Sequence, residues 1–205
     1  MMKNLTSLLR LSPGLRLQMG RFGRDETGTV VAEAVIVLPL FLWAYIALFV
    51  YWDAFRSMNS VQKAAYTISD MISREKLGKT TAYIDGAKKL LEYLIDENQE
   101  ARLRVTEVTW SDVDNQFKVH WSRSPGNAMV PLTTGTLQNY AYEIPTMSAG
   151  KYVIIVEVQV DYKPTFDIGM PDQTFNEFIV TPPRFPPCIP MDTAGVPNIS
   201  TCPLM

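Results

Sequence analysis

The sequence predicts an α+β protein whose long N-terminal membrane-spanning helix continues into a small exported domain of helix plus antiparallel sheet. Three observations carry this. Val30 to Tyr51 is an apolar run whose one charge is Glu33. Downstream, apolar residues recur at steps of three and four, as on one face of a helix. From Arg102 the period shortens to two, as on the faces of a strand.

The boundaries follow from these changes of pattern. Residues 1–28 form a basic leader that processing would remove, 29–52 the transmembrane helix, and 53–100 a helical extension and second helix. Residues 101–181 form the β-rich exported domain and 182–205 a Pro-rich tail. With 205 residues there is room for one membrane segment and one modest domain. A formal net charge of -2 gives no sign of a nucleic-acid partner. One histidine, His120, leaves little for a metal site or a Ser-His catalytic scheme, and no cofactor or metal is expected.

The leader sets Lys3, Arg10, Arg16, Arg21 and Arg24 against Asp25 and Glu26. A basic flank before an apolar run stays on the cytoplasmic side, which sends the C-terminal bulk across the membrane. In a secretory signal the apolar run precedes the cut, whereas here the small residue Gly28 precedes the run. A run of about 22 residues at 1.5 Å each crosses a hydrocarbon core about 30 Å thick. Pro39 lies within it, tolerable in a membrane where neighbouring helices satisfy the freed carbonyl. Tyr51 and Trp52 mark its far edge as an aromatic belt.

Beyond the belt, Phe55, Met58, Val61, Ala65, Ile68 and Ile72 trace one helical face, so the helix is expected to run on to about Glu75. Gly78 breaks the pattern, and Thr80 or Thr81 caps a second helix with Ile84, Ala87, Leu91, Leu94 and Ile95 facing inward. Residues 102–110 and 116–123 flank the Asp- and Asn-containing turn Ser111 to Asn115 and read as a hairpin. Phe117, Val119 and Trp121 share its buried face, which turns His120 outward as a solvated surface residue. Residues 125–145 read as loop, with a short helical turn near Leu137 to Tyr142. Lys151 to Lys163, with Tyr152, Ile154, Val156, Val158 and Val160 on one face and Val153 and Ile155 on the other, belongs in the middle of the sheet. A last strand covers Thr174 to Val180.

The tail from Thr181 carries Pro182, Pro183, Pro186, Pro187, Pro190, Pro197 and Pro203, a density that favours extended, surface-lying chain. Cys188 and Cys202 lie in it, either free or joined in one bridge that an exported location permits. The triplet Asn198-Ile199-Ser200 matches a glycosylation acceptor, a pattern that recurs by chance.

Glu33 is the residue that asks for an explanation. A carboxylate at the bilayer centre costs about 2.5–3.5 kcal/mol, less near the edge, so it wants a partner. Cleavage after Gly28 would make one, because the new α-amino group of Thr29 has a pKa near 8. In a helical array, the amine of one subunit can meet Glu33 of the next. The plainer alternative is that Glu33 sits at headgroup level and favours the positive end of the helix dipole.

The run RFGRDETGTVVAEAVIVLPLF resembles the processing site of TadE-like minor pseudopilins of the tight-adherence (Flp-type) pilus system. That family shares a basic leader, a glycine at the cut, a glutamate five residues on and an apolar helix. Trp121 to Arg123 and Tyr162-Lys163-Pro164 extend the likeness more weakly, and Ala34 stands where the family usually has an aromatic residue. The resemblance implies a cut between Gly28 and Thr29 by a prepilin peptidase, and a role for Glu33 in recognition or assembly. It also implies partners among other pilins or pseudopilins and the pilus assembly platform, an inner-membrane location with a periplasmic domain, and a structural rather than enzymatic function. The competing reading is an uncleaved single-pass protein whose exported domain binds a partner or the cell wall; an anchored enzyme lacks a catalytic set.

Overall fold

The computed structural model describes residues 27–76, 78–95, 99–192 and 202. The leader before Thr27, the prolines at 197 and 203 and the triplet at 198–200 lie outside them. Two compact units divide the chain, Met1–Phe49 and Val50–Met205. The architecture is α+β, with a long N-terminal apolar helix and a small antiparallel sheet.

Helix α1 spans Thr27–Ser73, includes Pro39, and stops two residues short of the expected Glu75. In the first unit its apolar side chains are open: Val35, Ile36, Phe41 and Leu48 are each at least two-thirds exposed, Ile36 at 74%. Among the described residues, it is the one helix long and apolar enough to cross a membrane.

In the second unit the sheet has the order β3-β2-β4-β5, every pair antiparallel. The strands are β2 (Ala101–Ser111), β3 (Gln116–Arg123), β4 (Tyr152–Tyr162) and β5 (Gln173–Thr181). β4 lies inside the sheet, as its two-sided apolar pattern requires. One face packs against α1 and against α2 (Thr81–Ile95): Leu103, Val105, Ile154, Val156, Val158 and Ile179 meet Val61, Ala65, Ile68, Ile72, Ile84 and Leu91. The opposite face, with Val108, Phe117, Val153 and Ile155, is covered by Leu132, Leu137 and Ile144 from the 124–147 connection. That connection holds turns at Pro125–Asn127 and Gln138–Tyr140 and the one-turn helix α3 (Thr134–Leu137). Thr133 caps α3 by accepting a hydrogen bond from the Thr136 amide while the Thr136 hydroxyl takes the Thr133 N–H. Burying each large aliphatic side chain of these clusters stabilises the fold by about 1.5–3 kcal/mol.

Several sequence expectations are corrected. The buried face of α1 is interrupted between Val50 and Val61, since Phe55 and Met58 are 65% and 46% exposed. Here the helix faces an open cavity beside the start of β5 rather than the close-packed middle of the sheet. On α2, Leu94 is 39% exposed and outside the core, while Tyr83 and Leu90 pack against the core. The tail is not surface-lying at Cys188, Ile189 and Pro190, which are buried. Beyond them β6 (Met191–Asp192) pairs in parallel with β1 (Lys79–Thr80).

The β2–β3 hairpin departs most from simple alternation. Glu107 pairs with Trp121 and Val108 with Val119, so β3 has one residue more than β2 at this point, His120. Such a bulge re-aims the side chains on either side of it. Phe117 and Val119 therefore face the 124–147 connection, whereas Trp121 joins the helical face. The expected shared face of these three residues is wrong for Trp121. His120 is also not a solvated surface residue; its side chain is 17% exposed and engaged by Glu107.

Candidate functional site

The residues singled out by the sequence lie in two places. Gly28, Thr29 and Glu33 fall in the first two turns of α1, and all three are exposed. A side chain added at Gly28 would meet no described atom within 4 Å. The Gly28–Thr29 bond lies in the first described turn of α1. Thr29 and Glu33, four residues apart, share a helix face. An amine created at Thr29 would lie about 6 Å along the axis from Glu33 of its own chain, at 1.5 Å per residue. The same geometry presents amine and carboxylate together, as a paired donor and acceptor, to an adjacent helix.

Cys188 and Cys202 form a disulfide with a Cα–Cα distance of 6.0 Å. The bridge holds the tail where Ile189 enters the core. Beside it lies a cluster that sequence reasoning did not assemble. The period-two pattern aims Glu107 toward the same face as Leu103 and Val105, and Glu107 is fully buried there. Its Oε1 accepts the Ile189 backbone N–H at 2.6 Å; its Oε2 accepts Trp121 Nε1–H at 3.1 Å and meets His120 Nδ1 at 2.6 Å. Trp121 Nε1–H also donates to the Ile189 carbonyl at 2.7 Å, and Tyr152 stands edge-on to the His120 ring. Burial pushes the Glu107 carboxyl above its ordinary range, against the pull of His120, the Ile189 N–H and Trp121. A glutamate at an apolar-facing strand position was the signal that could have found this cluster.

Oxygen of Glu107, nitrogen of His120 and sulfur of Cys188 lie within 4.8 Å of one another, a donor set that suits zinc. The sulfur, however, is committed to the disulfide and both carboxylate oxygens already accept hydrogen bonds. As folded, these residues tie β2, β3 and the tail together.

On the opposite sheet face, Arg104 and Glu157 are direct cross-strand partners and form a buried two-pronged pair, Nε to Oε2 at 2.6 Å and Nη2 to Oε1 at 2.5 Å. Arg104 also donates to the Val130 carbonyl. Burial works against its charge, but Glu157 outweighs burial and raises the guanidinium above its usual value. This pair pins the 124–147 connection to the sheet.

Comparison of the chain with protein-family models, with curated proteins and with solved structures finds no match.

Proposed function

We propose that the chain is a TadE-like minor pseudopilin or pilus-assembly protein of a tight-adherence (Flp-type) pilus. It is inserted by α1 in the bacterial inner membrane with its N-terminus cytoplasmic and its domain periplasmic, and is cut by a prepilin peptidase between Gly28 and Thr29. The observation that carries this reading is Glu33, an exposed carboxylate and the one charge in the apolar run Val30 to Tyr51, one turn past the residue that the cut would make the N-terminus. An amine on Thr29 would give that acid a partner of opposite charge. Apolar helices then exchange lipid for one another while Glu33 pairs with an amine inside the array. The Cys188–Cys202 disulfide is what an exported domain retains.

Mapping the N-terminal peptide of the membrane-extracted protein, with and without prepilin peptidase, tests the cut. A start at Thr29 that depends on the peptidase supports it. An intact leader in both samples leaves instead an uncleaved single-pass protein whose exported domain binds a partner or the cell wall. Glu33→Leu tests the assembly step: it is expected to leave insertion and cleavage intact and to abolish co-purification with other pilus components. Undiminished co-purification removes Glu33 from the mechanism.

A further inference from the structure

The first two turns of α1 past its apolar run are the ones whose apolar residues the sheet leaves open, Phe55 and Met58 above all. They are not bare. Within the second unit, Tyr51, Ala54, Phe55 and Met58 line a cavity of about 380 Å³ whose other wall comes from the β4–β5 loop, residues 163–172, and the start of β5. Gly169, Met170 and Pro171 are the loop's share. Tyr162, the last residue of β4, donates its hydroxyl to Asp53 at 2.9 Å and stacks on Phe175, which fixes the base of the loop against the helix. Val50, the last aliphatic residue of the run, is only 1% exposed, whereas Leu48 is 69% exposed. The folded domain therefore reaches the helix where the apolar run ends.

We propose that the 163–172 loop and the helix face Tyr51–Met58 form a second membrane contact, with the groove between them filled by phospholipid of the leaflet on the domain's side. The inference rests on the reading of α1 as a membrane span. Given that, Tyr51 and Trp52 mark the edge of the hydrocarbon, and the headgroup layer extends about 5–8 Å beyond it. Phe55 lies about 6 Å along the axis from Tyr51. A loop that shares a cavity with Tyr51 and Phe55 is then at headgroup depth. Its composition suits that place: Phe166, Ile168 and Met170 offer apolar side chains, and Phe166 is 47% exposed. Arg56, stacked over Trp52 at 5.5 Å, and the exposed Lys163 supply cations at the level of the lipid phosphates. Asp167 and Asp172 offset those charges, so apolar burial rather than attraction to anionic lipid holds the loop down, and the contact is insensitive to salt.

The test uses the full chain in vesicles of phosphatidylethanolamine and phosphatidylglycerol. With both native cysteines in the disulfide, one introduced cysteine carries a spin label. Labels at Ile168→Cys and Met170→Cys are compared with Leu42→Cys inside the run and Val113→Cys at the 95% exposed hairpin turn. The expected result is collision with a water-soluble nickel chelate at 168 and 170 well below that at 113 and above that at 42, unchanged in high salt. If 168 and 170 collide with nickel as freely as 113 while 42 is protected, the loop contact is wrong and the span stands. Nickel access at 42 overturns the span and the contact with it. Protection at 168 and 170 that vanishes on diluting the protein in lipid assigns the groove to a second copy and also overturns the proposal.

Discussion

The apolar side chains of α1 and those of β4 are chemically alike and end in opposite surroundings. Ile36 is 74% exposed and Val35 67%, while Ile154, Ile155 and Val156 are wholly buried. The difference lies in how each segment satisfies its backbone. A helix closes its own hydrogen bonds and can present apolar side chains outward in every direction, which a lipid environment accepts. A strand must find neighbours: β4 has β2 on one edge and β5 on the other, and with the helices over one face and the 124–147 connection over the other, most of its side chains are buried. Hydrophobicity alone thus does not say where a side chain goes. Residues 30–49 present an open apolar surface, and residues 152–160 carry the stability of the domain.

Truncations in the two segments test that division most severely. Ile154→Ala is expected to destabilise the domain by about 2–5 kcal/mol, the range for emptying a buried isoleucine site. Ile36→Ala is expected to leave the unfolding midpoint of the domain where it was. Urea unfolding followed by tryptophan fluorescence in detergent reads both. Equal effects would mean that the apolar part of α1 is also part of the folded core.

The tail sharpens the same contrast, because it is proline-dense chain, expected at the surface, that nonetheless enters the core. Reducing the Cys188–Cys202 bridge frees a loop of about 15 residues and is expected to lower stability by about 3 kcal/mol. The loss should appear as a lower urea midpoint in dithiothreitol for the parent, with a Cys188→Ser, Cys202→Ser double variant already at the reduced value. Glu107→Gln comes next. A glutamine has one carbonyl oxygen where the carboxylate offers two, so it cannot accept from the Ile189 N–H on one side and Trp121 Nε1–H on the other, and leaving a buried donor unmade costs about 1–3 kcal/mol. Its unfolding midpoint should fall within that range, and amide exchange at Ile189 should speed up, since the strap is what Glu107 holds.

These expectations also mark what the sequence could and could not disclose. The helix ends, the hairpin and the interior position of β4 follow from local periodicity, because each segment's own side chains encode them. The bulge at His120 does not, since it depends on register between strands: shifting one residue moves Trp121 to the other face without changing any local pattern. The burial of Ile189 was hidden for a related reason. Proline density speaks for an extended backbone, and an extended backbone can lie on a surface or thread beneath one. Glu33 and the cysteines were visible as residue types in unusual places, and Glu107 would have been visible on the same ground.

The mildest change probes the point where the two regions meet in sequence, just past Trp52. Tyr162 is buried and its hydroxyl donates to Asp53, and burial followed by the Asp53 charge pushes its pKa from 10.0 up to about 12. The sign follows from linkage: the unfolded chain loses this proton first, so the group's contribution is fully present below pH 10 and is lost as pH rises through 12. Tyr162→Phe removes the hydrogen bond and is expected to cost about 1 kcal/mol at neutral pH. It is also expected to flatten the fall in urea midpoint between pH 10 and pH 12 relative to the parent. A parent and variant that fall in parallel across that window would mean that Tyr162 ionises as freely in the fold as outside it, and that Asp53 does not fasten the end of β4 to the helix.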